Sequence, residues 1–217
     1  MILMKKVLII GANGQIARIV TNRLLKEQPD TELTLYLRNS DRLSHLAGDR
    51  VNIVEGDIND LDTLNKSMKG QDIVFVGFVD HDEKNTPTKN VIKSMKEQNV
   101  KRIIVSNVLG IYDEVPGEYG RWNKETIASG LPTAIRSDEL LEESGLDYTT
   151  LRLPWLNDRD EVKYVITHKG EEYNGVSGSR QSMADVVVRI IENPEFVNND
   201  SIGIADADTQ GEDRPVY

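Results

Sequence analysis

Two glycines three residues apart, with a small residue three further on, form the stretch Gly11-Ala12-Asn13-Gly14-Gln15-Ile16-Ala17. An apolar run, Val7-Leu8-Ile9-Ile10, precedes it, and apolar residues at helical spacing (Ile16, Ile19, Val20, Leu24) follow it. At a strand-to-helix junction Gly11 permits the tight turn, and Gly14 lets a ligand approach bare backbone. Ala17 lets the helix pack close to the strand. Free amides at the start of the helix then face the ligand, and the helix dipole favours an anion there. The loop, with Asn13, Gln15 and Ile16, therefore predicts a pyrophosphate cradle and a bound dinucleotide.

A second group of residues bears on which dinucleotide. An acidic residue at the end of the second strand would accept from ribose hydroxyls and repel a 2′-phosphate. This chain instead carries Arg38-Asn39-Ser40-Asp41-Arg42. A guanidinium at Arg38, helped by Ser40 and Arg42, suits a phosphate through forked, charge-assisted hydrogen bonds. NADP(H) is thus expected over NAD(H). After the third strand, Asp57 and Ile58 either sandwich the adenine edge or, for Asp57, cap the next helix. Gly77-Phe78 follows the fourth strand, where a small residue admits cofactor. Ser106 and Asn107, just after the fifth strand, are candidate cofactor contacts; Ser106 faces the cofactor or sits within the strand.

Fewer residues suit the reacting end. The chain has no Cys, and its three His (His45, His81, His168) are far apart in no metal-ligand spacing, so no metal is expected. Phe78, Tyr112, Trp122, Pro154 and Trp155 can line a flat apolar slot or serve as ordinary core. Tyr112 is the one hydroxyl nominated as a proton donor, with no Lys or Arg evident beside it in sequence.

Alternating strand and helix patterns must position these residues. Strands are expected at 7–10, 33–37, 51–54, 73–76, 103–105, 148–153 and 201–205. A helix capped by Asn59 carries Leu61, Leu64 and Met68 and ends at Gly70. Thr86-Pro87 opens another that buries Val91, Ile92 and Met95. A short helix at 122–129, one from Pro132 to Gly145, and one with a Ser182/Asp185 capping box follow. Residues 162–178 suggest a pair of short strands, the 157–181 region as a whole is unassigned, and the acidic tail is expected to be loosely held. Such repeated units predict a Rossmann-type α/β fold, a doubly wound parallel sheet with helices on both faces. One domain over 1–217 is expected, with about 150–217 contributing a small substrate-side lobe.

Composition sets the outer limits. A formal net charge of -10 over 217 residues argues against nucleic-acid or anionic-membrane partners, which need a positive field. Lys5 and Lys6 interrupt the apolar N-terminus, unlike a secretory signal, and no stretch approaches the length of a membrane span. A cytoplasmic monomer or homodimer acting on a small-molecule electron acceptor is expected.

Taken with Gly56-Asp57-Ile58, Val100-Lys101-Arg102-Ile103-Ile104, Leu109-Gly110-Ile111-Tyr112, Ser144-Gly145-Leu146-Asp147-Tyr148-Thr149 and Leu151-Arg152-Leu153-Pro154-Trp155, the glycine loop makes the chain resemble atypical short-chain dehydrogenase/reductases. The resemblance is to the small NmrA-like NAD(P)H-binding members and covers almost the whole chain. It implies cofactor binding in the glycine loop and looks also toward small flavin reductases. The chain departs from the superfamily at the catalytic residues. Asn107 and Val108 stand where serines are common, Ala134 and Asp138 stand where the Tyr and Lys would fall, and no Tyr-x-x-x-Lys occurs. Carbonyl reduction by that route is not expected. Three readings follow: an NADPH-dependent reductase of a flavin, quinone or similar conjugated acceptor; a non-catalytic NADP(H)-sensing regulator; and, weakest, a sugar-nucleotide epimerase or dehydratase.

Overall fold

The computed structural model describes residues 3–217. Its central sheet runs in the order β3-β2-β1-β4-β5-β6-β10-β8. These strands are β1 (Lys5–Ile10), β2 (Thr31–Leu37), β3 (Val51–Glu55), β4 (Ile73–Val76), β5 (Arg102–Val108), β6 (Asp147–Leu153), β8 (Val165–Thr167) and β10 (Asp200–Ala205). All neighbours are parallel except β8, which lies antiparallel to β10 at the edge. A separate parallel pair joins β7 (Trp155–Asn157) to β9 (Ser177–Ser179). Chain order reverses between β1 and β4, so the crevice at their carboxyl ends is the switch point where ligands of such sheets bind.

The strands are apolar on both faces because helices cover both. On one side α1 (Gln15–Glu27) packs against α6 (Arg180–Glu192) over Val7, Ile9, Leu33, Leu35, Phe75 and Ile104. The Arg23–Asp185 ion pair, 2.7 Å, ties those two helices together. On the other, α2 (Leu61–Met68), α3 (Thr86–Glu97) and α5 (Leu131–Glu143) cover Leu8, Ile10, Val74, Val76 and Ile103. A third cluster gathers Leu109, Tyr119, Tyr173, Val176 and Ala205 with Trp122 and Trp155. It lies around α4 (Gly117–Thr126) and the β7–β9 pair.

The structure corrects several local expectations. Asp60, not Asn59, caps α2, its carboxylate accepting from the Thr63 amide and hydroxyl. Ser179, not Ser182, caps α6. Asp185 is therefore no capping-box partner; it pairs with Arg23 and accepts from the Tyr164 hydroxyl. Helix α4 begins five residues earlier than the apolar pattern suggests, at Gly117. The two short strands within 162–178 do not pair with each other: one joins the main sheet and the other joins β7. The tail is also held more closely than its composition implies. The Val216 amide donates to Ser177 Oγ at 2.8 Å, and Asn157 Nδ2 donates to the Val216 carbonyl at 3.0 Å. Within residues 150–217, β10 belongs to the main sheet and α6 to the layer that covers it.

Candidate functional site

A cleft of about 820 Å³ opens at the carboxyl ends of β1 to β4. Its lining includes Gly11, Asn13 and Gly14, the group Arg38, Asn39 and Arg42, and Tyr36, Asp57, Ile58, Gly77 and Phe78. Gly11 has φ of +73°, which disfavours a side chain there, and its amide donates to the Tyr36 carbonyl at 3.0 Å. Gly14 is the N-cap of α1, and no side chain caps that turn. The first amides of the helix are therefore open to an anionic ligand. A Cβ on Gly77 would stand 3.2 Å from Ala17 Cβ, and one on Gly14 would stand 3.4 Å from the Gly77 carbonyl oxygen. These bare positions let strand ends and helix lie close without displacing a neighbour. Bare backbone at an uncapped helix start, in one cleft with two arginines, suits a pyrophosphate-linked dinucleotide. Gln15 is exposed and outside the lining, while Ile16 packs onto the α1 side of the core.

Ser40 does not stand beside the arginines as a free hydroxyl. Its amide and Oγ both donate to Glu55 Oε1 at 3.2 Å, and it does not line the cleft. Asp57 does line it. Its Oδ1 accepts from the Asn59 amide at 2.8 Å, and the capping role falls to Asp60, so the capping alternative for Asp57 is set aside. Tyr36, which sequence reasoning treated only as part of a strand, forms the cleft floor. Its hydroxyl donates to the Asp57 carbonyl at 2.8 Å. Burial first, then the charges of Asp60 and Asp57, push the phenol up to about 12. A Cβ on Gly56 would stand 2.3 Å from that hydroxyl. The glycine of Gly56-Asp57-Ile58 therefore makes room for Tyr36.

Ser106 and Asn107 lie outside the lining and are committed to the fold. Ser106 Oγ donates to the Val76 carbonyl at 2.9 Å. Asn107 Nδ2 donates to the Ala134 carbonyl at 2.9 Å, and its Oδ1 accepts from the Val108 amide. Both are buried, and both brace β5, one against β4 and the other against α5.

The aromatic residues divide. Phe78 lines the cleft with its ring against Gly11: a Cβ there would meet Phe78 Cδ1 at 2.7 Å. Trp122 and Trp155 pack together with centroids 5.0 Å apart, beyond the ends of β5 and β6. Asn123 holds them there, accepting from Trp155 Nε1 at 2.9 Å and donating to the Leu109 carbonyl at 3.2 Å. Pro154 packs beside Gly178 in the same lobe. The Tyr112 hydroxyl donates to the buried Asp138 carboxylate, which also accepts from Thr150 Oγ1 at 2.8 Å. Burial and the Asp138 contact push this phenol far up. Cations do stand by its ring, Lys169 Nζ 4.9 Å and the Arg152 guanidinium 5.2 Å from the centroid. Arg152 is itself buried and paired with Glu114. None of Tyr112, Trp122, Pro154 and Trp155 lines the cleft.

Known proteins resemble this chain in sequence and in fold. A family profile described as NAD(P)H-binding matches residues 11–194. A Rossmann-fold NAD(P)-binding family protein from Shigella flexneri superposes with a TM-score of 0.80 at 34% identity, covering 99% of both chains. A short-chain dehydrogenase/reductase from Veillonella parvula DSM 2008, solved in complex with NADP, superposes at 0.90 with 26% identity, covering 98% of this chain and 99% of its own. Quinone oxidoreductase 2 of Escherichia coli (strain K12) is 24% identical over 152 residues, 69% of this chain and 49% of that protein. The chain spans about half the length of that curated relative.

Proposed function

This chain belongs to the NAD(P)H-binding family, and from that footing we propose that it is an NADPH-dependent oxidoreductase whose acceptor is a flat, conjugated small molecule such as a quinone or flavin. The observation that carries the reading is one cleft lined by both the Gly11/Gly14 backbone and the Arg38/Arg42 side chains. Amides of the α1 first turn bind the pyrophosphate, the Asp57–Ile58 stretch receives the adenine, and Arg38 with Arg42 receive the 2′-phosphate. The bound cofactor supplies hydride. Phe78 bounds the nicotinamide end. A conjugated acceptor takes its proton from solvent, so this reading needs no Tyr–Lys pair. The likeness to a protein named quinone oxidoreductase favours that acceptor class.

Arg38→Ala tests the assignment. Losing a charged partner of the phosphate should weaken NADPH by about 1.5–3 kcal/mol and leave NADH almost unchanged. Equal loss for both nucleotides would show that Arg38 does not read the phosphate. Oxidation of NADPH with a panel of quinones and flavins tests the reaction itself. One observation favours a second reading, a regulator that binds NADP(H) without turnover: Tyr112, Ser106 and Asn107 all spend their polar atoms on internal partners. That reading predicts no oxidation across the panel and a partner whose binding depends on the cofactor's redox state.

A further inference from the structure

Strand β3 ends on Glu55, and the parallel register sets Glu55 beside Leu37, the last residue of β2. An acid that reads ribose hydroxyls would stand at the end of β2; here an acid stands one strand further out. Its Oε1 accepts from the amide and the hydroxyl of Ser40, 3.2 Å each. Arg38, Asn39 and Arg42 of the same turn line the cleft.

We infer that Glu55 is a specificity-determining residue for the nucleotide's 2′ substituent, restraining the preference for NADP(H) that Arg38 and Arg42 create. This rests on the reading of the cleft as an NADP(H) site. Two effects act in the same direction. A phosphoryl group received by Arg38 and Arg42 brings negative charge to the turn whose Ser40 is bonded to the Glu55 carboxylate, and like charges repel. Glu55 also holds both Ser40 donors, so neither is free to turn toward a phosphoryl group at the arginines. A ribose hydroxyl is neutral and meets neither penalty, so the effect belongs to NADPH alone. The turn also has backbone ties that do not involve the Glu55 side chain. The Gly56 amide donates to the Leu37 carbonyl at 3.0 Å, and the Arg42 amide to the Asn39 carbonyl at 3.3 Å.

The test is equilibrium titration of Glu55→Gln and Glu55→Ala with NADPH and with NADH, alongside thermal melting. NADPH should bind about three- to tenfold more tightly to each variant, with NADH changed by less than about twofold. Adding Arg38→Ala should abolish the gain. Weaker NADPH binding by the Gln variant, or equal shifts for the two nucleotides, overturns the inference. If Glu55→Ala melts early, the Gln variant, which keeps an acceptor for Ser40, decides alone. The two ideas fail separately: NADPH affinity unchanged by Arg38→Ala alone sinks the NADP(H) reading, whereas a clear Arg38 effect with no Glu55 effect sinks only this inference.

Discussion

At the scale of single residues, what decides a role is whether a polar atom is already spent. Ser40, Ser106, Asn107 and Tyr112 all have suitable chemistry in the sequence, and each gives its donor to the protein itself. Sequence supplies a residue's type and strand position, but the partner across the sheet or on the covering helix is non-local. Asp138 is the clearest case, because it stands 26 residues from the hydroxyl it holds. Tyr112 therefore serves as a strut that pins the loop after β5 to α5. Tyr112→Phe leaves Asp138 with one fewer donor and should lower stability by about 1.5–3 kcal/mol in chemical denaturation. NADPH affinity and any turnover should remain unchanged. A large fall in turnover with stability intact would return Tyr112 to the reaction.

At the scale of elements, the apolar runs gave the strands of the parallel sheet away, because strands covered on both faces are apolar throughout. The glycine loop was legible for a related reason: its spacing, the strand before it and the helix after it are all local. Caps were not legible, since Asp57, Asn59 and Asp60 offer three oxygen-bearing side chains within four residues and only backbone angles choose among them. The β7–β9 pair was hidden because its strands have three residues each and lie far apart in sequence. Asp60→Ala should cost about 1 kcal/mol of stability, and Asn59→Ala less than about 0.5 kcal/mol, in urea unfolding. The reverse order would contradict the cap assignment.

At the scale of the whole molecule, an acidic protein is proposed to hold an anionic nucleotide. Its 36 acidic side chains outnumber 26 basic ones, yet distant charge is screened beyond about 8 Å at physiological salt. What matters is local: the uncapped start of α1 and two arginines in one cleft, with Glu55 bonded to Ser40 of the arginines' turn. The sheet order makes this arrangement, because reversal between β1 and β4 leaves the crevice and the parallel register brings β2 and β3 to its far wall. No helix among the described residues is long and apolar enough to cross a membrane. The most direct test is calorimetric titration of the wild-type chain with NADPH and NADH. Saturable binding of one NADPH per chain, about tenfold or more tighter than NADH, is the predicted result. Equal affinities would contradict the role of the arginines, and no heat with either nucleotide at millimolar concentration would contradict the cleft as a dinucleotide site.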